Sequence, residues 1–179
     1  EFASASDVSD RLYYTGASVV RAHLAEFEDW FNQVNALLGL RNFPTHVELR
    51  RDAQGRIRPI EFNALRFAGW CCTDITLFAW GFHSYGCFLD GQRPDWDTIL
   101  QGREGKLYTL IVLNKPDNCP PVQHFDYEAL CRGFGRVLHV RKSDFTRYGL
   151  FGFLFTETPE NARQELDSIA SSTLLEFTS

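Results

Sequence analysis

The sequence predicts an α+β fold, antiparallel sheet with packed helices, and three observations carry that reading. Val20, Leu24, Phe27, Phe31, Val34 and Leu38 recur at intervals of four and three, the repeat of a helix with one apolar stripe. Two runs of alternating polarity, 46–51 and 56–62, flank the turn residues Asp52-Ala53-Gln54-Gly55, the pattern of a β-hairpin. Three further strand-like stretches, 106–113, 136–141 and 148–156, lie in the tail, where a small antiparallel sheet with one covering helix is expected.

In chain order, residues 1–17 are rich in Ser and Asp and read as an irregular entry with an edge strand near Leu12-Tyr13-Tyr14; Asp7, Asp10 and Arg11 read as solvated loop charges. The first helix covers 18–38 and stops at Gly39. Its stripe is expected to pack under Val47, Leu49, Ile60 and Phe62 of the hairpin. A second helix is expected over 74–89, with Thr73 as N-cap and Ile75, Phe78, Phe82 and Tyr85 or Leu89 inward. Its start would point at the site, where free N–H groups favour anions. His83 reads as a core histidine, and Cys71-Cys72 as small buried hydrophobes rather than nucleophiles. A loop at 90–95, a helical turn at 96–101 and a turn at 102–105 precede the tail strands. Pro116, Pro120 and Pro121 mark a long loop, followed by one helical turn at 128–131. A last helix is expected with Thr158 as N-cap, Pro159 at its first position and Leu166, Ile169 and Leu174 inward. The organisation expected is a first unit over 1–105 and a smaller sheet-plus-helix unit over 106–179.

The 179 residues, 44% hydrophobic, suffice for one sizeable core. A net charge of −5 with no basic cluster excludes nucleic acid as a partner, and no run reaches transmembrane length. Five cysteines match no zinc spacing and read as free thiols of a reducing, cytoplasmic setting. With no methionine and Glu1-Phe2 at the start, the sequence is expected to be processed, tagged or a fragment of a longer protein. A homodimer is left open.

The hairpin carries the chemistry. Burying Val47 and Leu49 with Ile60 and Phe62 requires pairs such as 49 with 60, which also sets Glu48 across from Glu61. Asn63 continues that face, with His46 opposite. Like charges so placed repel, and they call for a shared proton, an arginine or a cation. Arg50, Arg51, Arg56 and Arg58 are close enough in sequence to make this a neutralised surface. The alternative is magnesium, which takes carboxylate and carbonyl oxygens and bridges to substrate phosphates. A three-residue loop with Gly55 as an αL bulge would shift the register by one. It is rejected here because it splits the apolar set between faces.

Glu48, the hairpin, Glu61-Phe62-Asn63 and Arg66-Phe67-Ala68-Gly69 together resemble the metal-binding end of an ATP-grasp domain. That family shows an acidic residue on one strand, E-x-N on the next, then an Arg- and Gly-containing segment. The resemblance implies Glu48, Glu61 and Asn63 as ligands of Mg2+ (or Mn2+) on ATP. It implies Arg66 as the catalytic and phosphate-side cation, and His46 as a further phosphate contact. Arg66 stands three residues after Asn63, where two is common. The metal-centred match covers 46–70, with a looser likeness of layout over most of the chain.

The implied fold is the C-terminal subdomain of an ATP-grasp fold. The implied function is ATP- and Mg-dependent carboxylate–amine, or thiol, ligation through an acyl phosphate, with ATP and a small carboxylate as partners. In that family an earlier lobe grips the nucleotide with lysines and a flexible loop. Here only Lys106, Lys115 and Lys142 occur, none in a Gly-rich loop, so this chain alone is expected to be inactive. Two rivals stand beside this reading: a non-catalytic ATP-grasp-like binding module, and a two-carboxylate metal hydrolase.

Overall fold

The computed structural model describes residues 12–69, 71–117 and 119–179. Asp7, Asp10 and Arg11 lie outside them. Its main sheet is antiparallel, in the order β1-β4-β6-β5. The strands are β1 (Leu12–Gly16), β4 (Lys106–Asn114), β5 (Val137–Lys142) and β6 (Leu150–Pro159). The hairpin strands β2 (Thr45–Arg51) and β3 (Ile57–Ala64) form a separate two-stranded sheet. The edge strand expected near Leu12 therefore joins the tail strands, pairing Leu12 with Ile111 and Gly16 with Leu107.

The central strands read as nearly continuous apolar runs because both their faces are covered. Leu107, Ile111 and Leu113 pack with Phe151 and Leu154 on one side, against Leu130 of α5 (Tyr127–Arg132) and Leu166 and Ile169 of α6 (Gln164–Ser171). On the other side Leu110, Phe153 and Phe155 meet Ile75 and Phe78 of α2 (Asp74–Trp80). The sheet is thus a middle layer, covered more fully than the single tail helix expected. Thr109 and Thr156, both buried, satisfy each other's hydroxyls at 2.5 Å.

Helix α1 (Ala17–Leu38) ends on Gly39 in the left-handed conformation, φ 66°, its N–H bonded to the Asn35 carbonyl. Its apolar stripe, Leu24, Phe27, Phe31 and Val34, is only half-buried and builds no fully buried core with the hairpin, to which α1 is tied by the Glu26–Arg51 ion pair. Only Ala17 and Val20 of α1 enter a core cluster, and no hairpin residue does among the described residues. Ile60 remains 55% exposed and Leu38 57%.

The helix expected over 74–89 is two. Gly81, at φ 81°, caps α2 through Leu77 O, and α3 begins afresh at Ser84 and runs to Leu89. The break leaves His83 exposed ahead of α3 and turns Tyr85 and Leu89 outward, so none of the three is a core residue. Thr73 makes no side-chain cap bond. α4 (Trp96–Ile99) is the short turn expected, with the Asp95 side chain accepting from Thr98 N.

Thr158 and Pro159 do not open a helix. They end β6, paired with Leu107 and Lys106. A cap residue followed by proline suits a strand end as well as a helix start, and β4 extends far enough to hold them. The Thr158 hydroxyl instead bonds the Glu165 carboxylate of α6. Leu174 is buried beyond that helix, at φ 65°.

Candidate metal and phosphate site

Across β2 and β3, Thr45 pairs with Ala64, His46 with Asn63, Val47 with Phe62 and Glu48 with Glu61. The two carboxylates therefore face each other and share a side of the hairpin with Asn63 and His46. Nearer the turn the register differs from the expected one. Leu49 pairs with Pro59, not Ile60, and Arg51 with Ile57. The three-residue loop rejected from sequence is the one that forms. Gly55 sits at φ 79°, its N–H bonded to Asp52 O at 2.9 Å, and Asp52 N–H donates to Arg56 O at 3.0 Å. A bulge at Ile60 then adds one residue to β3 and restores the phase before Glu61. Loop chemistry and the facing carboxylates coexist because the bulge absorbs the offset.

Three of the four arginines expected to neutralise this face are engaged elsewhere. Arg51 pairs with Glu26 of α1 at 2.6 Å, while Arg56 and Arg58 reach Asp52 at 2.8 and 3.1 Å. Among the described residues no salt bridge reaches Glu48 or Glu61. The Asp52 carboxylate also accepts from the amides of Gln54 and Arg56. These bonds, the Arg56 amide foremost, hold its pKa below the usual value.

The chain leaving β3 brings the cation. Arg66 Nη2 approaches His46 Nδ1 at 3.4 Å, a long contact that requires the neutral imidazole with its proton on Nε2. Phe67 next to it packs against Tyr85 (tilted) and Phe88 (edge-on) of α3, with ring centroids 4.3 and 5.6 Å apart. The segment then reaches Cys71 and Cys72, both half-buried against the core that holds Phe78 and Phe153. Burial pushes the Cys72 thiol up, as do Cys71 and Glu48, while Arg66 pulls it down. Burial likewise raises Cys71, against the pull of Arg141. Neither is a poised thiolate. The fold thus brings His46, Glu48, Glu61, Asn63 and Arg66 to one face.

Magnesium keeps several waters and needs few protein oxygens when phosphates complete its shell. Two exposed, unpaired carboxylates and a neighbouring amide fit that demand. The Asn63 Nδ2 is closed off from solvent and without a hydrogen-bond partner; being a donor it cannot meet a cation, so the amide would serve only through Oδ1. No group of three or more His, Cys, Asp or Glu among the described residues could hold a metal ion, so the ion would depend on phosphate oxygens as well. No helix of the described residues is long and apolar enough to cross a membrane.

Sequence reasoning missed Arg141. From β5 it reaches Asp74 at 2.7 Å and Cys71 Sγ at 3.2 Å. Nothing local in the sequence pairs residues 70 positions apart. The Phe67 contacts were hidden too, because they depend on the helix break at Gly81.

The sequence profile of the ATP-grasp domain matches residues 1–74. Among solved structures, L-amino acid ligase from Bacillus licheniformis superposes with a TM-score of 0.64 at 15% identity, over 98% of this chain and 47% of its own. Phosphoribosylglycinamide synthetase from Anaerococcus prevotii gives 0.62 at 10% identity, over 100% of this chain and 47% of its own. The chain therefore spans about half the length of either. No curated protein matches in sequence.

Proposed function

We propose that this chain, an ATP-grasp protein by the match of its first 74 residues and by its fold, is the metal- and phosphate-binding portion of a carboxylate–amine or thiol ligase. The observation that carries the reading is the pairing of Glu48 with Glu61 while Arg51, Arg56 and Arg58 are bound to Glu26 and Asp52. Two facing carboxylates that no salt bridge reaches suit a cation arriving with its substrate.

Glu48, Glu61 and Asn63 would hold magnesium, which when bound neutralises charge on the ATP phosphates. Arg66, and His46 as a neutral donor through Nε2–H, would orient the terminal phosphate. In the reaction a substrate carboxylate oxygen bonds to the γ-phosphorus as the bond to the ADP oxygen breaks. The amine or thiol then attacks the acyl carbon of that acyl phosphate and inorganic phosphate leaves. The chain's own contribution is positioning and charge stabilisation.

The test is titration calorimetry with Mg2+ or Mn2+ and ATP, beside an ADP-release assay with panels of carboxylates and amines. Weak metal-dependent ATP binding is expected, with no ADP above background. Glu61→Gln should lower metal affinity by at least about tenfold, since even outer-shell partners of metal ligands matter that much. Equal affinity in the variant removes Glu61 as a ligand. Turnover that Glu61→Gln abolishes would show the site complete within these residues. Metal-dependent ATP binding without turnover in the longer protein would favour the binding-module reading.

A further inference from the structure

We infer that Arg141 is a positioning residue: from the far strand β5 it fixes the segment between β3 and α2, and so holds Arg66 at the carboxylate face. The inference rests on the reading of that face as a Mg-ATP site.

The segment is bounded by two non-glycine residues in the left-handed region, Leu65 at φ 59° and Cys71 at φ 58°. Side-chain-bearing residues stay there only where their surroundings over-determine the backbone. At the first end the surrounding is visible in Phe67, seated against Tyr85 and Phe88. At the second end it is Arg141. Its Nη1 donates to Cys71 Sγ at 3.2 Å, and its Nη2 meets Asp74 Oδ2 at 2.7 Å. That oxygen is shut off from water and has no aligned hydrogen bond, so the Arg141 charge is its compensation. One guanidinium thus grips the residue that carries the left-handed turn and the residue that starts α2.

The grip comes from a fixed base. Gly152 of β6 lies so close to β5 that a Cβ there would stand 2.2 Å from Arg141 O. Two residues before Arg141, His139 stacks on Phe78 of α2 with ring centroids 4.9 Å apart. The backbone of β5 is therefore set against both β6 and α2, and the guanidinium reaches the loop from a defined place. On the loop side, the Cys72 amide, next to the gripped Cys71, donates to Gly69 O at 3.2 Å, which folds the anchored turn back onto the stretch that carries Arg66. Arg66 in turn lies 3.4 Å from His46 on the carboxylate face.

Two measurements test this, each with Arg141→Gln and with Asp74→Asn, which cuts the ion pair from the other side. The first is amide hydrogen exchange without nucleotide. Exchange over residues 66–72 should rise about tenfold or more, with the β4 and β6 amides unchanged, as expected for local opening. Unchanged exchange in both variants overturns the proposal. The second is a double-mutant cycle on Mg-ATP affinity with Arg66→Ala. Arg141→Gln should weaken binding about fivefold in the parent and less than twofold in the Arg66→Ala background, because residues acting as a unit are not additive. Arg141→Lys, which keeps the ion pair, should recover part of the loss. An equal loss in both backgrounds means that Arg141 does not act through Arg66, and the proposal falls. If Arg66→Ala leaves Mg-ATP affinity unchanged, the phosphate reading of Arg66 fails, and the exchange result alone decides whether Arg141 holds the segment.

Discussion

The four-stranded sheet and the β2–β3 hairpin are held by different physics. In β6 every residue from Leu150 to Thr156 is buried, Phe151 and Phe155 completely. In the hairpin no residue is buried, and Phe62 and Ile60 keep 37% and 55% of their surface. The sheet is specified by apolar burial on two faces. The hairpin is specified by its turn, its bulge and a few ion pairs. A site that admits a metal and a polyphosphate must stay open to water until they arrive. That demand excludes the dense packing which stabilises the sheet, so candidate chemistry and core stability sit on separate elements.

If that contrast holds, equal truncations should have unequal effects. Phe155→Ala removes a fully buried ring that meets Phe78 at 4.6 Å, and should destabilise the protein by about 3–5 kcal/mol. Phe62→Ala on the half-exposed hairpin should cost below about 1 kcal/mol, because little of its surface is withdrawn from water. Urea unfolding of the two variants checks this, and equal losses would show the hairpin to be part of the core. Gly152→Ala should fall between them. It places a Cβ 2.2 Å from Arg141 O at φ 151°, so β5 must move away from β6. A cost of about 2 kcal/mol is expected, within the usual range for overpacking, with increased exchange of the β5 amides.

The same contrast explains what could be read in the sequence. Periodicity reports burial, so the stripe of α1 and the central strands were legible, whereas Glu48 faces Glu61 only because the bulge at Ile60 offsets a register that differs from the expected one near the turn. Where backbone conformation decides, the pattern misled. Gly55 and Ile60 together make a loop shift and its compensation, and an apolar-face argument sees only their sum. Gly81 divides one apparent helix because it adopts φ 81°, a choice that the apolar spacing across 75–89 does not record. Thr158-Pro159 has the signature of a helix start and serves a strand end. The grip of Arg141 on Cys71 and Asp74 arises only from tertiary placement. That His46, Glu48, Glu61, Asn63 and Arg66 come to one face could be expected because they lie within 21 positions of one another on a single local motif.

The smallest expected effect sharpens the hairpin side of the comparison. Asp52 ties the turn together by accepting from the Gln54 and Arg56 amides and pairing with Arg56 and Arg58. Its folded pKa lies below the ordinary 3.8, owing first to the Arg56 amide. A group lowered on folding stabilises the protein above its unfolded pKa, and that contribution is lost as pH falls through the folded value. Asp52→Asn should therefore loosen the turn slightly at neutral pH, and the gap to the parent should shrink once pH drops below about 3.8. Added salt should narrow the gap only in part, because it screens the exposed guanidinium pairs and leaves the amide bonds in place. Amide exchange at Gln54 and Arg56, followed against pH and salt, reads this directly. A gap that persists unchanged at low pH would show that the Asp52 side chain acts through shape and hydrogen bonding and not through its charge, and no gap at neutral pH would show that the turn is held by its backbone conformation at Gly55.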